Sequence, residues 1–111
     1  MAVSDGDLAF VLDQLAGLGD IRSRRMFGGV GLYRGDHFFG LMDDGVLYLK
    51  TDDTTRARYT KRRMTPFMPP GAPPSKTYYR VPTAVLEDAD ELVVWARDAV
   101  AVAARTATKR R

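Results

Sequence analysis

Few side chains in this sequence are of the types that carry out acid–base or metal chemistry. The chain has one histidine, His37, and no cysteine, which rules out disulfides, thiolate nucleophiles and metal sites built on two histidines. A Ser-His-Asp triad would have to use His37, which lies in or beside a predicted hairpin turn, and no serine has the surroundings of a nucleophile elbow. We therefore interpret His37 as a solvent-exposed turn residue and predict no catalytic residue, no cofactor and no bound zinc or iron.

Pairs of acidic residues are a second possible source of chemistry, because two carboxylates can hold Mg²⁺ or Ca²⁺. The pairs are Asp43-Asp44, Asp52-Asp53 and Asp88 with Asp90. Each pair lies where a turn or a helix start favours aspartate for hydrogen bonds to the backbone. The pattern favours structural roles, and no metal site is predicted.

Basic residues are the one feature that points towards a function. One cluster contains Arg22, Arg24 and Arg25, and the other contains Arg56, Arg58, Lys61, Arg62 and Arg63. Such clusters can supply the phosphate contacts that dominate nucleic-acid affinity. The second cluster is the candidate contact with nucleic acid or with a protein partner. If it lies on an exposed helix, removing Arg58 and Arg62 should leave folding stability almost unchanged.

Two observations weaken the nucleic-acid interpretation. Acidic residues, including the run at 87–91, offset the clusters, so the formal net charge is only +3 and a solvated surface is the simpler explanation. An RNA-binding sheet also needs exposed aromatic rings, and the sequence does not assign Tyr33, Tyr48 and Tyr78 to one face. The glycines at 28, 29 and 31 do not form a phosphate-binding loop, because a strand follows them where that loop needs a helix. A bulge or a close backbone approach is the better interpretation.

The predicted helices and strands alternate in a simple order. Ser4 caps an amphipathic helix that runs to Gly19, with apolar residues at Leu8, Val11, Leu12, Leu15 and Leu18. An edge strand over 21–27 and three hairpin strands follow, with turns at residues 35–36 and 44–45. A second helix is predicted from about Asp53 to Arg62, after which Arg63 must take a positive φ or end the helix differently. A proline-rich surface loop over 68–75, a short strand over 77–81 and a last helix capped by Asp88 or Asp90 complete the chain.

An ordered series of motifs runs through these elements. It consists of Arg-Met-Phe-Gly-Gly-Val-Gly-Leu-Tyr at 25–33, Phe39-Gly40-Leu41, Leu47-Tyr48-Leu49-Lys50, Asp53-x-Thr55-Arg56, Met64-x-Pro66-Phe67, Tyr78-Tyr79-x-Val81-Pro82 and the acidic segment at 86–92. Over roughly residues 5 to 104 the series resembles the N-terminal domain of the TfoX/Sxy family of competence regulators. The resemblance implies a compact α+β domain, found alone or joined to a separate C-terminal domain, and a role in regulating DNA-uptake genes. It implies no chemical activity.

Length and composition limit the remaining possibilities. The 111 residues, 45% of them hydrophobic, predict a single domain over 1–111 with its own core. No apolar run approaches the ~20 residues that span a bilayer, and the acidic start is unlike a signal peptide. We expect a cytoplasmic bacterial protein without membrane association. The predicted fold is a two-layer α+β domain, with one antiparallel sheet, the first and last helices packed on one face, and a basic tail that frays over about 105–111.

The functional prediction follows from these points. We expect a non-enzymatic regulatory or protein-interaction module. The alternative is a weak, sequence-indifferent nucleic-acid-binding domain that uses the basic 56–63 helix, and a small-molecule enzyme has least support. Because a sheet of hairpins leaves edge strands, we also expect a homodimer. Phe27 is predicted to be buried between the sheet and a helix.

Overall fold

A computed structural model describes residues 3–26 and 28–109, with side chains as far as residue 106. The elements are α1 (Asp5–Gln14), a 3₁₀ turn (Ala16–Leu18), β1 (Ile21–Met26), β2 (Gly29–Arg34), β3 (His37–Asp43), β4 (Val46–Lys50), α2 (Arg56–Thr60), β5 (Tyr78–Arg80), α3 (Thr83–Leu86) and α4 (Ala89–Lys109). The predicted α+β class is confirmed. The burial predicted for Phe27 concerns a residue outside the described part of the chain.

The five strands form one antiparallel sheet in which spatial order follows chain order, β1 to β5. Two-residue turns close the hairpins between β2 and β3 and between β3 and β4. Asp44 and Gly45 both have positive φ, at 50° and 77°, which is the combination that a type I′ hairpin turn needs. The hairpin turns predicted from the sequence are therefore confirmed.

The helices cover one face of this sheet, and among the described residues no helix lies on the other face. The covered face contributes Val30, Leu32, Met42, Leu47 and Leu49, all of which are buried. Leu92, Ala96 and Ala99 of α4 and Val11 of α1 belong to the same apolar cluster. Apolar residues recur every second position along the strands and every third or fourth position along α4, and both sets pack in a single core.

A bulge in β3 decides which of two adjacent phenylalanines enters this core. Leu32 pairs with Gly40 and Tyr33 with Phe38, so the register shifts by one residue at Phe39. Phe39 is fully buried in the core, whereas Phe38 lies opposite Tyr33 and contacts its ring. The bulge therefore turns Phe39 into the core and Phe38 to the other face, the reverse of what alternation from Gly40 would give.

The helix ends differ in part from the prediction. Ser4 caps α1 by accepting a 3.0 Å hydrogen bond from the amide of Asp7, as expected, but the helix tightens to a 3₁₀ turn after Gln14. The second helix is shorter than predicted, since regular helix begins only at Arg56. Residues 53–55 form a turn in which the Asp52 carboxylate accepts hydrogen bonds from the amides of Thr54 and Thr55, as a cap does. Arg63 has a φ of 60°, so of the two predicted ways of ending this helix the structure shows the one with a positive φ at Arg63.

The C-terminal segment also differs from the prediction. The chain was expected to fray from about residue 105, but α4 continues through Lys109. Arg105 donates a 2.6 Å hydrogen bond to the Asp52 carboxylate, and the Thr106 hydroxyl donates to the carbonyl of Val102. The Arg105 contact ties this part of the helix to the segment after β4, whereas the Thr106 bond lies within the helix. Residues 110 and 111 lie outside the described part.

Candidate functional site

The basic segment 56–63 folds as α2 and the turn after it, and most of its charges are paired. Arg56 donates to Asp53 at 2.9 Å and Arg58 donates to Asp98 at 2.7 Å. Arg62 lies 3.9 Å from the Glu91 carboxylate. Lys61 and Arg63 are exposed, and neither makes an ion pair with a described residue. The structure thus brings the five predicted residues together on one segment but leaves two of them unpaired.

Two of these arginines also pack on an aromatic ring. The guanidinium carbons of Arg58 and Arg62 lie 5.4 Å and 5.2 Å from the centroid of Trp95 in α4. Tyr59, between them in sequence, is buried against the edge of the same ring at 4.8 Å, and burial raises the pKa of its hydroxyl well above the ordinary value. The segment therefore attaches α2 to α4, and removing Arg58 and Arg62 should lower stability. This differs from the expectation based on exposed charges.

The acidic pairs have structural roles where their contacts are visible. Hydrogen bonds from Thr54 and then Arg105 hold the pKa of Asp52 well below its usual range. The Asp88 carboxylate accepts a hydrogen bond from the amide of Glu91 at the start of α4. Of the two caps that the sequence offers, Asp88 and Asp90, the structure therefore uses Asp88. Within the described residues, no three His, Asp or Glu side chains are grouped as a metal ion would require.

His37 is the first residue of β3, directly after the hairpin turn, and pairs with Arg34. Its position at the turn agrees with the prediction, but the residue is partly buried, not fully exposed.

The strand register settles the question of the three tyrosines. One transverse row of paired residues crosses the sheet: Arg24, Gly31, Leu41, Tyr48 and Arg80. Side chains two residues apart along a strand point to the same face, so a second row lies beside the first on that face. It contains Arg22, Tyr33, Phe38, Lys50 and Tyr78. Since Val30, Leu32, Leu47 and Leu49 point into the core, both rows lie on the helix-free face.

Three aromatic residues of the second row contact one another. Tyr33 and Phe38 are stacked with centroids 5.0 Å apart, and Tyr78 lies 5.6 Å from Phe38. The Lys50 ammonium lies 5.9 Å from the centre of the Tyr78 ring. All three tyrosines are partly exposed. The helix-free face therefore presents a continuous aromatic strip.

Beside this strip lies a groove of about 450 Å³. Its sheet side is formed by Met26, Gly31, Phe38 and Leu41, and the loop that follows α2 supplies Phe67, Pro69 and Pro70. Gly31 leaves no space to spare, because a Cβ there would lie 2.7 Å from the Met26 methyl group. A groove of this volume with mostly apolar walls is within the range of ligand-binding sites in proteins.

The proline-rich loop is held in place at its base. Phe67 donates to the carbonyl of Tyr78 at 2.8 Å, and Ser75 donates to the carbonyl of Phe67 at 2.7 Å. Thr51, buried at the end of β4, donates both its amide and its hydroxyl to the carbonyl of Thr77. The loop is on the surface as predicted, and its anchored segment also covers the outer edge of β5.

Sequence reasoning missed the groove and Arg80, and it identified Arg24 only as a member of a basic cluster. Two signals could have revealed them: Arg24, Gly31 and Leu41 fall at matching positions of successive hairpin strands, and Phe67 and the prolines follow within one loop. The bulge at Phe39 hides this pattern, because it breaks the alternation from which faces are assigned.

Comparison with known proteins agrees with the fold. The sequence model of the TfoX N-terminal domain matches residues 13–103. No curated protein matches the chain significantly. In the described part, no helix is long and apolar enough to cross a membrane. Because this match covers most of its length, the chain belongs to the TfoX N-terminal domain family.

Proposed function

We propose that this domain is a non-enzymatic regulatory module that acts by binding a macromolecular partner, in a cytoplasmic bacterial setting. Its binding surface in this proposal is the helix-free face of the sheet. The observation that carries it is the 450 Å³ groove bounded by Phe38, Leu41 and Phe67. An apolar recess on an otherwise uncovered face commonly marks a site of interaction.

The basic 56–63 segment supports binding less well. Three of its five cations, Arg56, Arg58 and Arg62, are engaged with acidic residues of the domain. A polyanion would have to displace these contacts, including those on Trp95, before it could use the charges. Nucleic-acid binding through this segment therefore remains the second candidate, and it depends chiefly on Lys61 and Arg63.

A homodimer is part of the same proposal. Thr65, Pro66 and Phe67 cover the outer edge of β5, and β1 carries Arg22, Arg24 and Arg25 along the other edge. Because charged or covered edges resist strand pairing, a second copy would associate without extending the sheet and without closing the groove.

A comparison of captured partners tests the proposed surface. The full chain, Leu41→Lys and the control Val94→Lys are immobilised and exposed to extract of the native cell. Leu41 lines the groove, whereas Val94 is an exposed apolar residue of α4, so both variants add the same charge to a surface site. We expect Leu41→Lys to lose partners that the other two retain. Equal capture by all three, with unfolding curves showing that each is folded, would contradict the proposal.

A further inference from the structure

We infer that the helix-free face binds single-stranded nucleic acid, with a base lodged against Phe38 and Phe67 in the groove and phosphates on Arg24 and Arg80. This inference rests on the proposed function, because it takes the same face as the binding surface and names the class of partner. It differs from the second candidate, which uses α2 and the turn after it.

The charge of this face is the first argument. The strand residues that point away from the helices include four cations, Arg22, Arg24, Lys50 and Arg80, and one acid, Asp43. Arg24 and Arg80 stand at the two ends of one transverse row, roughly 19 Å apart over four strand spacings. Neither makes an ion pair within the described part of the chain. The face is therefore suited to a polyanion that crosses the strands.

The aromatic strip is the second argument. Proteins that bind single strands combine a basic groove with aromatic side chains on which bases stack. Four aromatic residues lie in the two rows that also contain the cations: Tyr33, Phe38, Tyr48 and Tyr78. The ring centroid of Phe67 lies 5.2 Å from that of Tyr48. Because Tyr33 and Phe38 stack on each other, the free ring surface lies at the groove, where Phe38 and Phe67 both line the walls.

The recess favours a single strand over a duplex. Bases of a duplex are stacked on each other and cannot enter a side groove, whereas an unpaired base can be splayed out and held between rings. An acidic peptide would satisfy Arg24 and Arg80 but would leave the aromatic recess without a planar partner. We therefore commit to the nucleic acid.

Fluorescence anisotropy with labelled 12-nucleotide oligothymidylate and oligouridylate tests the inference, with a duplex of mixed sequence and polyglutamate as competitors. Each phosphate contact on a single strand contributes about −0.7 to the slope of log K against log salt. We expect Arg24→Gln with Arg80→Gln to flatten the slope by about 1.4, the sum of two such contacts. Phe67→Leu should weaken binding about tenfold at an unchanged slope, since it removes stacking and no charge.

Two control variants separate this surface from the other basic parts of the chain. Lys61→Gln with Arg63→Gln tests the α2 segment, and Lys109→Gln with Arg110→Gln and Arg111→Gln tests the basic C-terminus. Neither control variant should change the slope of log K against log salt by as much as the variant with Arg24→Gln and Arg80→Gln. Loss of binding in a control but not in the Arg24 and Arg80 variant would overturn the inference. So would no binding at 50 mM salt, or equally effective competition by duplex or polyglutamate.

The inference can fail while the proposed function stands. Capture from nuclease-treated extract that is lost in Leu41→Lys, together with no oligonucleotide binding, would identify a protein partner at the groove. Failure of both experiments would remove the helix-free face as a binding surface altogether.

Discussion

Arg58 lies with its guanidinium 2.7 Å from the Asp98 carboxylate and 5.4 Å from the Trp95 ring, so its charge makes two contacts within the fold. An exposed ion pair is worth little by itself, but a cation over an aromatic ring adds to it. The same cation is therefore less available to an outside partner than its place in a basic cluster indicates.

Replacing Arg58 by alanine should lower the free energy of unfolding by about 1–2 kcal/mol, because the ring contact and the ion pair are lost together. Lys61→Ala is the matched control, since Lys61 is exposed and makes no ion pair with a described residue, and it should change stability by less than about 0.5 kcal/mol. Urea unfolding of both variants provides the measurement. Equal small losses would mean that the Trp95 contact contributes nothing.

Asp52 gives the domain a specific dependence on acid. Hydrogen bonds from Thr54 and Arg105 hold the pKa of its carboxyl below the usual range, so folding favours the ionised form. The stability it supplies is present above the unfolded pKa of about 4 and is lost as pH falls from there towards the lower folded value. Asp52→Asn should therefore reduce the loss of stability between pH 7 and pH 3, as measured by urea unfolding at each pH. An unchanged loss would exclude Asp52 as a source of the acid sensitivity.

Gly29 and Gly31 lie two residues apart in β2 and differ in what surrounds them. A Cβ at Gly29 would lie 2.5 Å from the backbone carbonyl oxygen of Met42, while one at Gly31 would meet the flexible Met26 side chain at 2.7 Å. Backbone cannot move aside as a methionine can, so Gly29→Ala should destabilise more than Gly31→Ala, for which about 1–2 kcal/mol of overpacking is expected. Thermal unfolding of the two variants gives the order, and the reverse order would contradict this account.

At the scale of elements, the loop after α2 is joined to the sheet through β4. Thr51 is buried and its hydroxyl donates to the carbonyl of Thr77 at 2.7 Å, while Phe67 and Ser75 close the loop on itself and on β5. One wall of the groove thus depends on a single buried hydroxyl as well as on backbone bonds.

Thr51→Val keeps the shape of the side chain and removes this hydrogen bond. We expect a loss of about 1 kcal/mol in global stability and faster amide exchange at Phe67 and Ser75, since the base of the loop would open more often. Exchange in β2 and β3 should change much less. Uniformly faster exchange across the sheet would mean that the loop and sheet open as one unit.

How far the sequence predicts each element depends on how local its signals are. The hairpins follow from short turns such as Asp44-Gly45, and the helix layer follows from apolar spacing in α1 and α4. The start of α2 could not be predicted, because residues 53–55, which Asp52 caps, form a turn before the regular helix and the local sequence does not distinguish the two. The α4 end depends on a contact between residues 52 and 105 that no local pattern contains.

At the scale of the whole molecule, the candidate site was predictable only in part. The five cations at 56–63 were identified from composition, but their partners Asp98 and Glu91 lie on a distant helix. The groove joins β1, β2 and β3 to Phe67, Pro69 and Pro70 of the loop after α2, which are distant from the strands in sequence. Its assembly depends on the Phe39 bulge, which the alternation of apolar residues does not reveal.

Self-association is the prediction that concerns the whole molecule. If two copies associate, sedimentation should give a weight-average mass that rises with concentration towards twice that of the chain. A monomer for the unaltered protein at high micromolar concentration would exclude the dimer.

The spacing of the strands along the chain has a further consequence for the order of folding. Two-residue turns join β2 to β3 and β3 to β4, and β1 ends only three positions before β2 begins, whereas residues 51–77 separate β4 from β5. Closing the short turns costs little chain entropy, while bringing β5 to β4 requires a loop of 27 residues to close. We expect the four-stranded meander to form early and β5 to add late, so that interactions of Tyr79 affect mainly the unfolding rate. Phe67, Pro69 and Pro70 then reach the sheet last, and the groove is completed in the final step of folding.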